Sequence, residues 1–144
     1  MSNVDNKSDR HKCHGRLLYE IASEYIRLME KYDNAILIRE QALAMISRSA
    51  KTLQVLHKVV GVTDLYAWTR RKTEFAEVNP KTVKRLIAGK DDASKEEVAT
   101  SLAKYVGEQT YACDDESDAV AVGIAWLMLS GYIKMPRRKE KKAK

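Results

Sequence analysis

The spacing of apolar and polar residues predicts that helices alternate with short strands. Between residues 16 and 31, apolar positions recur every three or four residues, as is typical of an amphipathic helix. Four consecutive apolar residues at 35–38 predict a strand covered on both faces, and this strand leads into Arg39-Glu40-Gln41. A second, longer helix is predicted from about residue 49 to residues 66–68.

The middle of the chain carries local signals for a further strand and two helices. Residues 74–78 have the length and placement of a short strand. Asn79-Pro80 then predicts a helix start, because asparagine caps well and proline suits the first helical position, and Gly89 predicts the end of that helix. Ser94 and Glu97 stand at capping-box spacing and predict the start of the next helix.

The order of these elements predicts the α/β class. A last helix is expected from about Asp114 to Tyr132. Long helical crossovers return the chain in the same direction, so we expect the strands to pair in parallel. With 144 residues, the chain suits one domain with one core. Ligands gather at the carboxyl ends of strands in such folds, which points to Glu40.

The charge of the chain suits a polyanionic partner. Lysine and arginine (26) outnumber aspartate and glutamate (20), giving a net charge of +6 and a pI of about 9.3. Part of the excess lies in residues 134–144, a basic C-terminal tail that suits either a solubilising extension or an arm that contacts DNA. Residues 1–15 are polar and aperiodic and predict a flexible lead-in.

Cysteine use and hydropathy favour a cytoplasmic location. Cys13 and Cys113 follow no disulfide spacing, and the first residues show no signal-peptide pattern. The longest nearly apolar stretch, 119–129, is too short to span a membrane. His11, Cys13 and His14 could bind zinc chemically, but the second close pair of ligands that a structural zinc site needs does not follow.

The stretch from Cys113 to Ala119 places four acids in five positions just before an apolar run. Asp115 and Asp118 are three residues apart, so they share one helix face. Helix capping stabilises by about 0.3–1 kcal/mol per charge, whereas two carboxylates about 4 Å apart repel by about 4 kcal/mol at an effective dielectric of 20. Two readings stay open: an acidic helix cap, and a site for Mg²⁺ or Mn²⁺ that includes Glu40.

These residues also carry a family resemblance. From about Gly15 to Ile133 the chain resembles the RuvC-type crossover junction endodeoxyribonucleases (Holliday junction resolvases), in a divergent, phage-like form. Ile38-Arg39-Glu40-Gln41 is similar to the family's "IEQ" segment, and the stretch 115–121 is similar to its "DxxDALA" segment. Val83-Lys84 and Ala93-Ser94-Lys95-Glu96-Glu97-Val98 match the stretch between them.

The resemblance implies an RNase H-like fold of the resolvase/integrase type over residues 16–133, with parallel strands and flanking helices. It implies a homodimer that cuts branched DNA in recombination and repair by metal-dependent phosphodiester hydrolysis. Glu40, Asp115 and Asp118 would be catalytic metal ligands for Mg²⁺, with Mn²⁺ as the alternative. Lys84 and Lys95 would lie near the DNA backbone at the active site, and Lys95 would also be catalytic.

One departure from the family's pattern concerns the first strand. The family carries there an Asp that bridges the metals, and neither Asp5 nor Asp9 lies in a similar setting. We therefore expect an incomplete fold that lacks the opening strands, which a split gene, an internal start or a partner chain would explain. The alternatives to an enzyme are a nuclease remnant that binds DNA without cutting it and a helical scaffold that binds protein.

Trp68 and Trp126 each lie in a predicted helix with an apolar face to fill. We expect both rings to pack in the core and not to stack on unpaired bases.

Overall fold

The computed structural model of the protein describes residues 14–41 and 50–136. Its elements, in chain order, are α1 (His14–Lys31), β1 (Ile38–Glu40), α2 (Ala50–Arg71), β2 (Ala76–Val78), α3 (Pro80–Ala88), α4 (Lys95–Val106) and α5 (Asp114–Leu129). The predicted order of helices and strands is confirmed. No helix within these residues is both long and apolar enough to cross a membrane.

The described residues form two compact units, and unit 1 consists of 14–36 and 50–75. Helices α1 and α2 pack against each other here and bury Ala22, Met29 and Ala67. The guanidinium of Arg71, the last residue of α2, donates hydrogen bonds to the carbonyls of Met29 and Tyr32. The last carbonyls of a helix have no partner within that helix, so Arg71 satisfies groups that α1 leaves open at its end.

Unit 2 contains a two-stranded parallel sheet, as predicted. Ile38 lies opposite Ala76, and the Ala76 amide donates to the Leu37 carbonyl at 2.8 Å. The strand expected at 35–38 therefore starts later, because the hydrogen bonds to β2 start only at Leu37. The expectation that this strand is covered on both faces is wrong, since Ile38 and Arg39 are only partly buried and Glu40 is exposed.

Helix α5 lies at the centre of unit 2 and packs against α3, α4 and β1. The buried side chains of this core come from α3, α4, α5, β2 and the α3–α4 turn, and Ile38 of β1 packs against them. They are Val78, Val83, Ile87, Ala93, Val98, Leu102, Ala121, Val122, Ala125 and Met128. Unit 1 buries apolar residues of its own, so the described residues contain two groups of buried side chains. The expectation of one domain over residues 16–133 stays a prediction.

The helix ends in unit 2 follow their local sequence signals. The Asn79 side chain accepts a hydrogen bond from the Lys81 amide at the start of α3, and Gly89 ends that helix with a φ of 83°. Only glycine adopts such a backbone conformation without a steric penalty. Ser94 and Glu97 form the reciprocal capping box of α4. All three predictions are confirmed.

The two tryptophans differ in their surroundings. Trp126 is partly buried against the core and stacks on Tyr132, with 5.8 Å between ring centroids. Helix α5 ends at Leu129, before the predicted end at Tyr132. The Tyr132 amide donates a hydrogen bond to the Leu127 carbonyl. Trp68 is 52% exposed, so the prediction that it packs in the core is wrong. A helix of mixed polarity does not specify from spacing alone which of its aromatic residues faces inward.

Truncating Leu102, a fully buried side chain of the core, should destabilise the protein strongly. We expect Leu102→Ala to lower the free energy of unfolding by about 2–5 kcal/mol, since it removes buried methyl groups and leaves a cavity. Urea unfolding followed by circular dichroism measures the change. The control is Leu129→Ala at a 48% exposed leucine, which should cost less than about 1 kcal/mol. Equal losses would contradict this description of the core.

The capping box of α4 should make the stability of the protein change with pH in the acidic range. A hydrogen bond from the Lys90 ammonium, and then one from the Ser94 amide, lower the pKa of Glu97. Ionised Glu97 therefore stabilises the fold above the unfolded carboxyl pKa of about 4.3, and this contribution is lost as the pH falls through the lower folded pKa. We expect Glu97→Gln to be less stable than wild type at pH 7 and to approach it below about pH 4.

Thermal unfolding across this pH range measures the effect. Glu108→Gln, at an exposed carboxylate after α4, is the matched control for the loss of one negative charge and should change the free energy of unfolding by less than about 0.5 kcal/mol. A constant difference between Glu97→Gln and wild type would show that the charge of Glu97 is not responsible.

Candidate functional site

The first turn of α5 is acidic, with Asp114, Asp115 and Glu116. The N-cap residue is Cys113, whose side chain makes no capping hydrogen bond. The Glu116 carboxylate instead accepts a hydrogen bond from the Ala112 amide at 2.7 Å. The interpretation of these acids as a helix cap therefore applies to Glu116. Neither Asp115 nor Asp118 is the N-cap residue, although Asp115 lies in the first turn, where its charge complements the helix dipole.

Asp118 forms an ion pair with a lysine from a different helix. The Nζ atom of Lys95, the first residue of α4, lies 3.2 Å from Oδ2 of Asp118, with the two side chains 57% and 39% exposed. The hydrogen bond and charge of Asp118 raise the pKa of Lys95, and the charges of Asp114 and Asp115 add to this effect. The ammonium group thus faces the acidic turn of α5.

The position of Lys95 is fixed by its neighbours in the chain. Ser94 and Glu97 cap α4, which holds Lys95 at the first helical position. A positive charge there opposes the helix dipole, because the N-terminus of a helix favours negative charge. The charge of Lys95 is therefore unfavourable for the α4 dipole, whereas its ion pair with Asp118 on α5 is favourable.

Glu40 is the last residue of β1 and is exposed, so its expected position at the carboxyl end of a strand is confirmed. Strand β1 packs against α5, the helix that carries Asp115 and Asp118. Within residues 14–41 and 50–136, however, no group of three or more His, Cys, Asp and Glu side chains is arranged to hold a metal ion. The site formed by all three carboxylates therefore stays a prediction.

Lys84 is partly buried on α3, which packs against α5. Lys81 is exposed one helical turn earlier, and residues three apart share a helix face. Lys81 thus adds a second positive charge to this face of α3. The three-residue spacing of Lys81 and Lys84 is the signal in the sequence that points to Lys81.

Several sequence predictions lie outside the described residues. These are the ones on Asp5, Asp9, His11 and Cys13 and on most of the basic tail, residues 137–144. The side chain of His14 is likewise not described. Cys113 carries an exposed free thiol. The zinc reading therefore stays open.

Comparison with protein families gives a match over most of the chain. The family described as crossover junction endodeoxyribonuclease RuvC matches residues 3–126, which include Glu40, Lys84, Lys95, Asp115 and Asp118. The chain therefore belongs to the RuvC family, and the predicted family is confirmed. No curated protein sequence matches the chain.

Two solved structures share the fold. A Thermus thermophilus RuvC structure matches with a TM-score of 0.68 and 15% identity, over 87% of this chain and 73% of that chain. A structure of T. thermophilus RuvC in complex with a Holliday junction substrate matches with a TM-score of 0.73 and 17% identity, over 89% of this chain and 76% of that chain. The predicted RNase H-like fold, with parallel strands and flanking helices, is confirmed.

Proposed function

We propose that this RuvC-family chain is a structure-selective endonuclease that cuts Holliday junctions, or other branched DNA, by phosphodiester hydrolysis with a divalent cation. The observation that carries the proposal is the family match over residues 3–126, which spans the acidic turn of α5 and the lysine that faces it. A solved relative of the same fold is a complex with a Holliday junction substrate, which supports four-way DNA as the partner.

Glu40, Asp115 and Asp118 would hold the cation. Carboxylate oxygens are hard ligands that suit Mg²⁺, with Mn²⁺ as an alternative. Mg²⁺ usually takes one or two carboxylates and keeps water and phosphate as its other ligands, so a complete protein cage is not required. Asp115 is exposed and Asp118 is 39% exposed, which leaves both open to a hydrated ion. When bound, the cation would activate a water molecule and stabilise the leaving oxygen.

The lysines of the chain would bind and orient the DNA. Lys95 reaches the acidic turn, and its ammonium would hold a phosphate close to the carboxylates. Lys84, on the neighbouring helix α3, would contact the sugar–phosphate backbone. Phosphate contacts fix the register of a protein on DNA and carry no sequence information directly. Such contacts suit an enzyme that selects the shape of a junction.

We also propose roles for the domain as a whole, for the basic tail and for a second copy of the chain. Residues 16–133 would form the nuclease domain, and the basic residues 134–144 would add contacts to DNA. A homodimer would place one active site on each of two strands of the junction. A segment or partner chain that supplies a further carboxylate would complete the metal site.

The second candidate is a nuclease remnant that binds branched DNA without cutting it. It is favoured by the observation that no three-ligand group for a metal is present within the described residues. This candidate keeps the lysines and the net positive charge, and it predicts binding that weakens with salt. Binding of branched DNA without cleavage would distinguish the remnant from an active nuclease.

Cleavage of a labelled synthetic four-way junction in Mg²⁺ tests the enzyme. We expect Asp118→Asn to lower the cleavage rate by about 100-fold or more, because it removes a ligand charge while keeping the shape of the side chain. Asp33→Asn, at an exposed acid in the turn after α1, is the matched control and should cut like wild type. Equal cutting by Asp118→Asn and wild type would remove Asp118 from the site.

Binding of the same junction without divalent cation tests Lys84. We expect Lys84→Ala to weaken binding and to reduce the slope of log K against log salt by about 1, as loss of one phosphate contact does. Lys104→Ala, at an exposed lysine in the last turn of α4, should leave the slope unchanged. Fluorescence anisotropy between low and moderate salt measures both. Identical slopes for all three proteins would place Lys84 away from the DNA.

A further inference from the structure

The contact between Lys95 and Asp118 joins the first turn of α4 to the second turn of α5. Lys95 opens α4, and Asp118 lies one turn into α5. The contact distance is 3.2 Å, and both side chains are partly exposed. Asp114 and Asp115 contribute further negative charge around the same ammonium. A single lysine of α4 thus acts as a counterion to several acids at the start of α5.

A divalent cation bound by Asp118 could not share this position with the ammonium without strong repulsion. Two positive groups only a few ångströms apart repel each other, and the divalent ion carries twice the charge of the lysine. The lysine is able to leave, because its long side chain is more than half exposed and exposed ion pairs are weak. Cation binding would therefore release Lys95 from the carboxylate.

We propose that Lys95 is an exchangeable counterion, which holds Asp118 until a divalent cation binds and then transfers its ammonium to a DNA phosphate. The inference rests on the proposed function and adds to it a coupling between cation binding and DNA binding. Because the released lysine gains a phosphate, the cation strengthens DNA binding, and DNA strengthens cation binding by the same factor.

Mn²⁺ binding to the full chain without DNA tests the exchange, with free Mn²⁺ measured by electron paramagnetic resonance at low ionic strength. Lys95→Met removes the competitor and keeps an unbranched side chain. We expect it to lower the Kd for Mn²⁺ by about fivefold, the upper range for the loss of an exposed ion pair. Circular dichroism shows whether the variant is folded.

Lys90→Met is a closely matched control. Lys90 is also half-exposed, at 50%, and forms an ion pair of 2.6 Å with Glu97, which is not a proposed ligand. Its removal takes the same charge from the chain, so it should change the Kd for Mn²⁺ by less than about twofold. A fivefold gain in Mn²⁺ affinity in both variants would show a general effect of charge and would overturn the exchange.

A second measurement follows Lys95 directly. Reductive ¹³C-methylation labels lysines without removing their charge, and Lys95→Arg identifies the Lys95 resonance by its loss. We expect Mg²⁺ to move this resonance towards its position in Asp118→Asn, because both changes break the same contact. The Lys90 resonance should stay in place. A Lys95 resonance that Mg²⁺ does not move would overturn the exchange.

The outcomes separate this inference from the function on which it rests. If neither wild type nor Lys95→Met binds Mn²⁺, the proposed metal site is wrong, and the exchange is wrong with it. If both bind Mn²⁺ with the same affinity, the metal site stands and the exchange alone is wrong. Tighter binding by Lys95→Met, with no change in Lys90→Met, supports both.

Discussion

The burial of one face of α5 is the constraint on which unit 2 depends. Ala121 and Ala125 are completely covered on this face, and such small side chains let α3, α4 and β1 approach the helix closely. Asp118 is three residues before Ala121 and seven before Ala125, so it continues the buried stripe one turn towards the N-terminus. Core packing therefore determines where the Asp118 carboxylate points, and it brings this carboxylate to Lys95 at the start of α4. The candidate site is an extension of the core to the surface.

The parts of the fold that the sequence predicted are those set by neighbouring residues. Asn79-Pro80, Gly89 and the Ser94–Glu97 capping box each act within one helical turn, and each is confirmed. The extent of the first strand was not predictable in the same way, because the bounds of a strand depend on where its partner donates hydrogen bonds. The four apolar residues 35–38 predicted burial, but only pairing with β2 decides which of them are covered. The exposure of Trp68 has the same cause, since spacing does not specify which residues a partner covers.

The candidate site was predictable to a similar extent. The three-residue spacing of Asp115 and Asp118 specified a common helix face, and the end of a predicted strand specified the position of Glu40. The contact of Lys95 with Asp118 joins residues on two separate helices and depends on the packing of α4 against α5. No local pattern contains that information, and in the sequence only the family resemblance pointed to Lys95. The partner of Lys95 could be identified only from the fold.

The acids at the start of α5 have partners within the described residues, so their charge does not by itself call for a metal. The sequence alone left two interpretations of these acids open, a helix cap and a cation site, and the estimated repulsion between the carboxylates exceeded what capping offsets. In the structure Glu116 accepts a backbone amide, Asp118 pairs with Lys95, and the acids of the first turn complement the helix dipole. Water screens the exposed carboxylates further. A cation that the fold does not need differs from a structural zinc, whose binding energy is folding energy. Under the proposed exchange, the affinity for the cation would be set by competition with Lys95 at the surface, which would suit an ion that takes part in chemistry.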